Sequence, residues 1–277
     1  MIWNPSITNV SPRPSSPWSP RSFNPRKPME LEKFRSRDPE AIAEQLNTDR
    51  VWAAEALGNL NDLHFPLSRY YLNGPNVVMV YEAVQPPYLF CSGGIGALRL
   101  ILGMLPHGDY LAVFSMEPEE IFPSDTNVVE LKRMLRMKID LTDKSFDVGV
   151  ADKLSQQDIE HINALMANFE GVEFNPEQLA YPFAGIYLDE QLVAMAGTRV
   201  VNPDQRVACL DQVVIHPEYQ GRGFGGQVLG KVLDELSRQA DLVTVDSPVK
   251  AKNLIDLYGR MGFTNHGRFN RSWVTIP

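Results

Sequence analysis

"HPEYQGRGFGGQVLG", residues 216–230, sets five glycines in fifteen residues between an apolar run and a helical one. Without side-chain bulk, several backbone N–H groups can converge on phosphate oxygens, and the end of the following helix adds positive potential. Gly221, Gly223 and Gly226 also spell G-x-G-x-x-G, the pattern of a dinucleotide-binding turn. Asp246 follows about twenty residues on, where such a turn wants a ribose-binding carboxylate. Two features count against a dinucleotide. His216-Pro217-Glu218-Tyr219-Gln220 separate the strand from its first glycine, and only about fifty residues remain after Gly226 for the further βα units that fold needs. An ordinary strand-to-helix turn explains one or two glycines, not the four between 221 and 226.

The flanks define the elements that present this loop. "RVACLDQVVIHP" (206–217) reads as the strand entering it, and "GQVLGKVLDELSRQ" (226–239) as an amphipathic helix with Val228, Leu229, Val232, Leu233 and Leu236 on one face. Upstream, "DVGVADKLSQQDIEHINALMANF" (147–169) predicts a strand, an N-cap at Ser155 and a helix. "PFAGIYLDEQLVAMAGTRVV" (182–201) predicts a hairpin turning at Asp189-Glu190. Downstream come a strand at 242–247, a short helix at 251–262 closed by Gly262, and a last strand at 268–276.

The segment "VVIHPEYQGRGFGGQVLGKVL" resembles the pyrophosphate loop of the GNAT superfamily of acyl-CoA N-acyltransferases, with Gln220 to Gly225 matching Q/R-x-x-G-x-G/A. "LYGRMGF" (257–263) is similar to that family's L-Y-x-x-x-G-F element, in register about thirty-five residues further on. The resemblance covers roughly 147–277 and implies an α/β (α+β) fold, with a mixed, mostly antiparallel sheet, a splayed strand pair and flanking helices. It implies acetyl-CoA as co-substrate. The backbone at Val213, Val214 and Ile215 would take the acyl and pantetheine part, and Gln220, Gly221, Arg222, Gly223, Phe224, Gly225 and Gly226 the pyrophosphate. Tyr258 would protonate the departing CoA thiolate, a task a phenol can perform because a thiol with a pKa near ~8.5 is a good leaving group. Read from its helix alone, Tyr258 is equally a packed aromatic. The sequence departs from the family where an Asn is expected seven residues before the Tyr: Ala251 stands there, and Asn253, two positions on, is the candidate contact.

Direct aminolysis needs a base for the amine proton. Asp246, at the end of the strand before the Tyr helix, is the first candidate; Asp211, a charge in mid-strand, is the second. A capping or turn role at 246 and a solvated strand face at 211 are the alternatives.

The first half reads as another α/β unit, over roughly 30–140: helical patterns at 38–48 and 50–60, strands at 76–84, 88–93 and 110–116, and a helix at 96–106. "TNVVELKRMLRM" (126–137) is ambiguous and fits a helix better. No repeat shows in the residues, although two halves of similar size leave a diverged duplication open, and the tandem arrangement is similar to the glycine-N-acyltransferase-like branch. The expected division is a Pro/Ser-rich tail without structure at 1–28, an N-terminal domain at 29–145 and an acetyltransferase domain at 146–277. Seven prolines and six serines mark the tail, and Met29 is an alternative start of the working chain.

Of 277 residues, 44% are hydrophobic and 22% charged, as in soluble globular proteins. The net charge is −8, with a local +4 in residues 1–28 that leaves −12 on the remainder. An acidic body argues against nucleic acid and anionic membranes and mildly for amine ligands. Two cysteines, Cys91 and Cys209, and no signal-peptide pattern suit a cytoplasmic protein. His64, His107, His161, His216 and His266 lack ligand spacing, so no metal is expected. "FCSGGIGAL" (90–98) lacks G-x-S-x-G, which disfavours Cys91 or Ser92 as a nucleophile. The reading is an N-acetyltransferase acting on a small-molecule or peptide amine, with oligomeric state open; the alternative is a non-catalytic acyl-CoA-binding regulatory module.

Overall fold

The structure, a computed structural model, describes residues 27–169 and 174–277. The Pro/Ser-rich segment lies outside the described residues except for Lys27 and Pro28. In chain order the elements are α1 (Pro28–Leu31), β1 (Arg35–Ser36), α2 (Pro39–Leu46), α3 (Ala54–Gly58), β2 (Ser68–Asn73), β3 (Asn76–Tyr81), β4 (Tyr88–Ser92), α4 (Ile95–Leu102), β5 (Gly108–Phe114), α5 (Pro118–Ile121) and β6 (Asn127–Asp140). They continue with β7 (Asp152–Lys153), α6 (Ile159–Met166), β8 (Phe183–Leu188), β9 (Gln191–Asn202), β10 (Val207–Ile215), α7 (Phe224–Leu236), β11 (Leu242–Pro248), α8 (Lys252–Arg260) and β12 (Thr264–Ile276). From β7 onward the succession is strand, helix, three strands, helix, strand, helix, strand, and from β1 it is the same apart from a second helix, α3, before the three strands. The two halves thus share most of their order of elements.

The chain divides into two compact units. One runs up to Met134 and includes Gly267–Pro277; the other is Leu135–His266. In the first, β1, β2, β3 and β4 are antiparallel neighbours, β4 and β5 are parallel, and Asn270–Ile276 of β12 pair antiparallel with Gly108–Phe114. Its core gathers Val78, Val80, Leu89, Leu98, Ile101 and Phe114 with Val274 and Ile276. Asp38 caps α2 by accepting from the Glu40 and Ala41 amides, with Pro39 set in the first turn.

In the second unit the strand order is β6-β11-β10-β9-β8-β7. The β8–β9 hairpin turns at Asp189 and Glu190, both at positive φ, as a two-residue turn matched to strand twist requires. Alternate residues of β9 enter different cores: Ala194 and Ala196 pack with Val228, Leu229 and Val232 of α7, while Met195 packs with Ile162, Leu165 and Met166 of α6. Ser155 caps the single 3-10 turn that leads into α6, its hydroxyl accepting from the Gln157 amide.

Four local readings differ from the structure. Residues 127–140 are a strand. Met134, Leu135, Arg136 and Met137 are all buried, so this strand lacks the alternation that betrays a half-exposed one. What remained legible was the helix propensity of Glu, Leu, Lys, Arg and Met. The helix expected over 50–60 is confined to Ala54–Gly58, the strand expected from 147 is only Asp152–Lys153, and "SRYYLN" (68–73) is a strand that the sequence reading passed over.

Candidate active site

The glycine loop and α8 form two walls of a cavity of about 640 Å³ in the second unit. On one side are Val213 and Ile215 from β10, then Gln220, Gly221, Gly223, Gly225 and Gly226; on the other are Lys250, Ala251, Lys252, Asn253, Leu254, Asp256, Leu257, Arg260 and Met261. The residues between strand and glycines are ordered by a 3-10 turn at Pro217–Tyr219, and the Gln220 amide group donates back to the Ile215 carbonyl at 3.3 Å. Gly221 and Gly223 have φ of 78° and 84°, and a Cβ on either would project into open space. Gly223 is the N-cap of α7, so the first amides of a thirteen-residue helix face the region those two glycines leave clear. Gly225 serves differently: its Cβ would stand 3.1 Å from both Ile215 and Leu257, so this glycine lets α7 close on β10 and α8.

The wedge behind the cavity comes from strand register. β10 and β11 pair in parallel from Val207↔Leu242 to Cys209↔Thr244, while β10 continues to Ile215 along β9. A bulge between Asp211 and Val214, with Gln212 at φ 46°, turns the strand at that point. The splay implied by the family resemblance is thus built from a bulged β10 and a short parallel ladder.

Tyr258 sits on α8, buried, its ring 5.7 Å from that of Phe263. Burial pushes its phenol well above the ordinary value of 10.0, and the nearby Asp211 and Asp246 carboxylates push it the same way. Its hydroxyl therefore stays protonated at neutral pH, and it has no hydrogen-bond partner among the described residues. Asp246 receives a bidentate fork from Arg136, Nε to Oδ1 and Nη2 to Oδ2, each at 2.8 Å. The Arg136 side chain is 3% exposed and that of Asp246 20%. Asp211 is more enclosed, at 1%. One of its oxygens accepts from the Gln212 amide at 2.9 Å; the other lies 3.4 Å from the Gln178 amide nitrogen and 3.7 Å from Arg199.

Of the residues assigned to the coenzyme from sequence, the cavity gathers Val213, Ile215, Gln220, Gly221, Gly223, Gly225, Gly226 and Asn253. Val214 turns its side chain into the core beside α6, and Phe224 packs against the α7 core. Arg222 lies over the Tyr219 ring at 4.8 Å and donates to the Glu218 carbonyl. Sequence reasoning missed Lys250, Lys252 and Arg260, although two lysines flanking Ala251 at a strand-to-helix turn were a visible signal. It also missed Arg136, for which no local pattern exists.

The corresponding turn of the first unit, between β4 and α4, is filled. A Cβ on Gly93 would collide with Asn76, whose side-chain oxygen accepts from the Gly94 amide at 2.6 Å. Cys91 is a buried thiol that burial shifts far above its ordinary pKa, which makes it inert. Among the described residues no group of three His, Cys, Asp or Glu side chains is placed to hold a metal, and no helix is long and apolar enough to cross a membrane.

A splayed strand pair, a glycine cradle at a helix N-terminus and a buried tyrosine on the next helix define the GNAT acyl-CoA N-acyltransferase fold. Residues 151–263 match the Acetyltransferase (GNAT) family, a span that holds the glycine loop, Asp211, Asp246 and Tyr258. Among solved structures, a putative GNAT-family acetyltransferase from Novosphingobium aromaticivorans is similar at 22% identity and a TM-score of 0.61, covering 83% of this chain and all of its own. A Drosophila protein is similar at 14% identity and a TM-score of 0.60, covering 92% of this chain and 98% of its own. A GCN5-related N-acetyltransferase from Sphaerobacter thermophilus is similar at 12% identity and a TM-score of 0.55, covering 87% and 94%. No curated protein matches the chain.

Proposed function

We propose that the second unit transfers an acetyl group from acetyl-CoA to a primary amine by direct attack. The observation that carries this reading is the cavity itself, one wall of which is the glycine cradle and the other residues of α8; Tyr258, Asp211 and Asp246 are not among the residues that line it. The cradle suits a pyrophosphate: Gly221 and Gly223 leave clear the space in which α7 amides can donate. The apolar Val213, Ile215, Leu254 and Leu257 suit the uncharged pantetheine arm.

In the reaction the amine nitrogen bonds to the thioester carbonyl carbon as the carbon–sulfur bond breaks. Tyr258 gives its proton to the leaving thiolate. A phenol shifted above 10 looks too weak an acid for a thiolate of pKa ~8.5, but a thiolate forming beside Tyr258 meets the same burial and the same two carboxylates, which raise its proton affinity too. Asp246 takes the amine proton, directly or through water: it is the more open of the two carboxylates, and Arg136 fixes its position. Asp211 is the second candidate.

Thiol release from acetyl-CoA, measured with the purified full chain against a panel of amines, amino acids and peptides, tests the proposal. Turnover with at least one amine is expected, and loss of turnover in Asp246→Asn that recovers as pH rises and the amine deprotonates unaided. Recovery in Asp211→Asn instead would move the base to that residue. Binding of acetyl-CoA with no turnover on any acceptor would leave a regulatory acyl-CoA-binding module in place of an enzyme.

A further inference from the structure

The acyl-transfer reading leaves Asp211 as a second-choice base, yet both strands of the β9–β10 pair are bent around its carboxylate. β9 passes over Arg199 between the pairs Cys209↔Val200 and Leu210↔Thr198, and β10 bulges between Asp211 and Val214 with Gln212 at φ 46°. Bulges re-aim side chains, and here Arg199 and Asp211 end 3.7 Å apart. A third member, Gln178, comes from the 3-10 turn Pro176–Ala180, which Asn175 caps. Its amide nitrogen lies 3.4 Å from Asp211 Oδ2, and its oxygen accepts from the Gln212 side chain at 3.3 Å. Leu179 packs this turn into the core of α6 with Phe183 and Val214, whereas α7 and α8, the helices beside the cavity, pack in the other core. Asp211 is thus approached from the face of the sheet opposite that cavity. Its cover there is one side chain deep: Gln178 is half-buried, and Pro176, Glu177 and Ala180 around it are exposed. The Asp211 charge also bears on Tyr258, which ties it to the reacting centre. A neutral amide donor at 3.4 Å is a long, weak partner for a carboxylate, whereas an ammonium makes a charge-assisted bond at about 2.7–2.9 Å.

We propose that Asp211 binds the acceptor as its ammonium cation and that Gln178 stands in for that ammonium until an acceptor displaces it. The inference rests on the acyl-transfer reading above and divides the work of its two carboxylates. Asp211 draws in the cationic amine; Asp246 then takes the proton, and the neutral amine attacks. Arg199 is a positioning residue, its charge keeping an almost fully enclosed carboxylate ionised. The acceptors favoured are alkyl primary amines, which are cations at neutral pH, over nucleophiles that are uncharged there.

The test is thiol release from acetyl-CoA by the full chain with two nucleophiles: the primary alkylamine of the panel above that turns over best, and hydroxylamine, which is small and uncharged at neutral pH. Wild type, Asp211→Asn and Gln178→Ala are compared, with folding followed by thermal melting. Asp211→Asn keeps the size of the side chain and removes its charge. Its kcat/KM should fall roughly tenfold or more further with the alkylamine than with hydroxylamine, through KM, the worth of a charge-assisted contact. Gln178→Ala removes the stand-in and should lower KM for the alkylamine several-fold. An equal fall with both nucleophiles in Asp211→Asn, or a fall carried by kcat, would make Asp211 the base or a packing group and overturn the proposal. A raised KM in Gln178→Ala would overturn the stand-in, and this variant decides the matter if Asp211→Asn does not fold. Absence of thiol release with every amine in the wild type would overturn the acyl-transfer reading itself.

Discussion

At the scale of the residue, Tyr258 does two separable things, and a single substitution distinguishes them. Its ring packs against Phe263 in the α7 core, while its hydroxyl is unpartnered among the described residues. Tyr258→Phe keeps the ring, so acetyl-CoA affinity should hold and the thiol-release rate should fall by roughly 10²–10⁴, the usual loss of a positioned acid. A matching fall in stability at neutral pH would instead mark the hydroxyl as a packing group. The pH dependence has a defined sign. Because the folded-state pKa lies above the unfolded value of 10.0, Tyr258 contributes stability that is fully present below about pH 10 and is lost as pH rises toward the folded value. The variant should therefore lose less stability than the wild type between pH 9 and 11, which thermal melts across that window would reveal. An identical alkaline decline in both proteins would mean that the hydroxyl is not shielded as the structure places it.

At the scale of the element, the strand–loop–helix unit β10–α7 was legible because its constraints are local. Gly221 and Gly223 occupy backbone conformations that L side chains adopt only at a cost, so the turn writes itself into the sequence. The Asp189-Glu190 hairpin was legible for the same reason, since a two-residue turn fixes the pairs beside it, Leu188 with Gln191 and Tyr187 with Leu192. β6 was misread because its partners are distant: Arg136 finds Asp246 across 110 residues, and nothing near either residue announces the pair. The bulge at Asp211–Gln212 likewise arises from pairing with β9, and the splay was accessible only through the family resemblance. The glycines also give a prediction that separates binding from packing. Gly223→Glu meets open space, so it should fold with a loss of about 1–2 kcal/mol from its positive φ, yet abolish acetyl-CoA binding by filling and charging the cradle. Gly225→Val should do the reverse: its added carbons press on Ile215 and Leu257, lowering the melting temperature more than it disturbs the phosphate contact. Equal acetyl-CoA affinity in wild type and Gly223→Glu, read by titration, would remove the loop from the binding site.

At the scale of the whole molecule, the similar order of elements in the two halves invites cutting the chain at 145/146, the boundary that the sequence suggests, and the energetics say that such a cut fails. The unit that holds the proposed site begins at Leu135, and Leu135, Met137, Ile139 and Leu141 are buried in its core beside Val228, Leu229 and Val243. Burial of each such side chain stabilises by roughly 1.5–3 kcal/mol. Four of them together rival the ~5–15 kcal/mol that holds a whole domain folded. The same cut removes Arg136 and leaves Asp246 a largely buried charge without its guanidinium, a loss on the order of 3–5 kcal/mol. A 146–277 fragment is therefore expected to show no cooperative melting transition and no thiol release, although it contains the glycine loop, Asp211, Asp246 and Tyr258. A 29–145 fragment should be inactive for a different reason, because Asn76 occupies the turn where its cradle would lie. Arg136→Met in the full chain isolates the ion pair from the missing strand: it keeps an apolar stem of similar length and should lower both the melting temperature and the turnover. A 146–277 fragment that melts cooperatively and turns over acetyl-CoA at the full-length rate would show that β6 is dispensable to the unit in which it is buried.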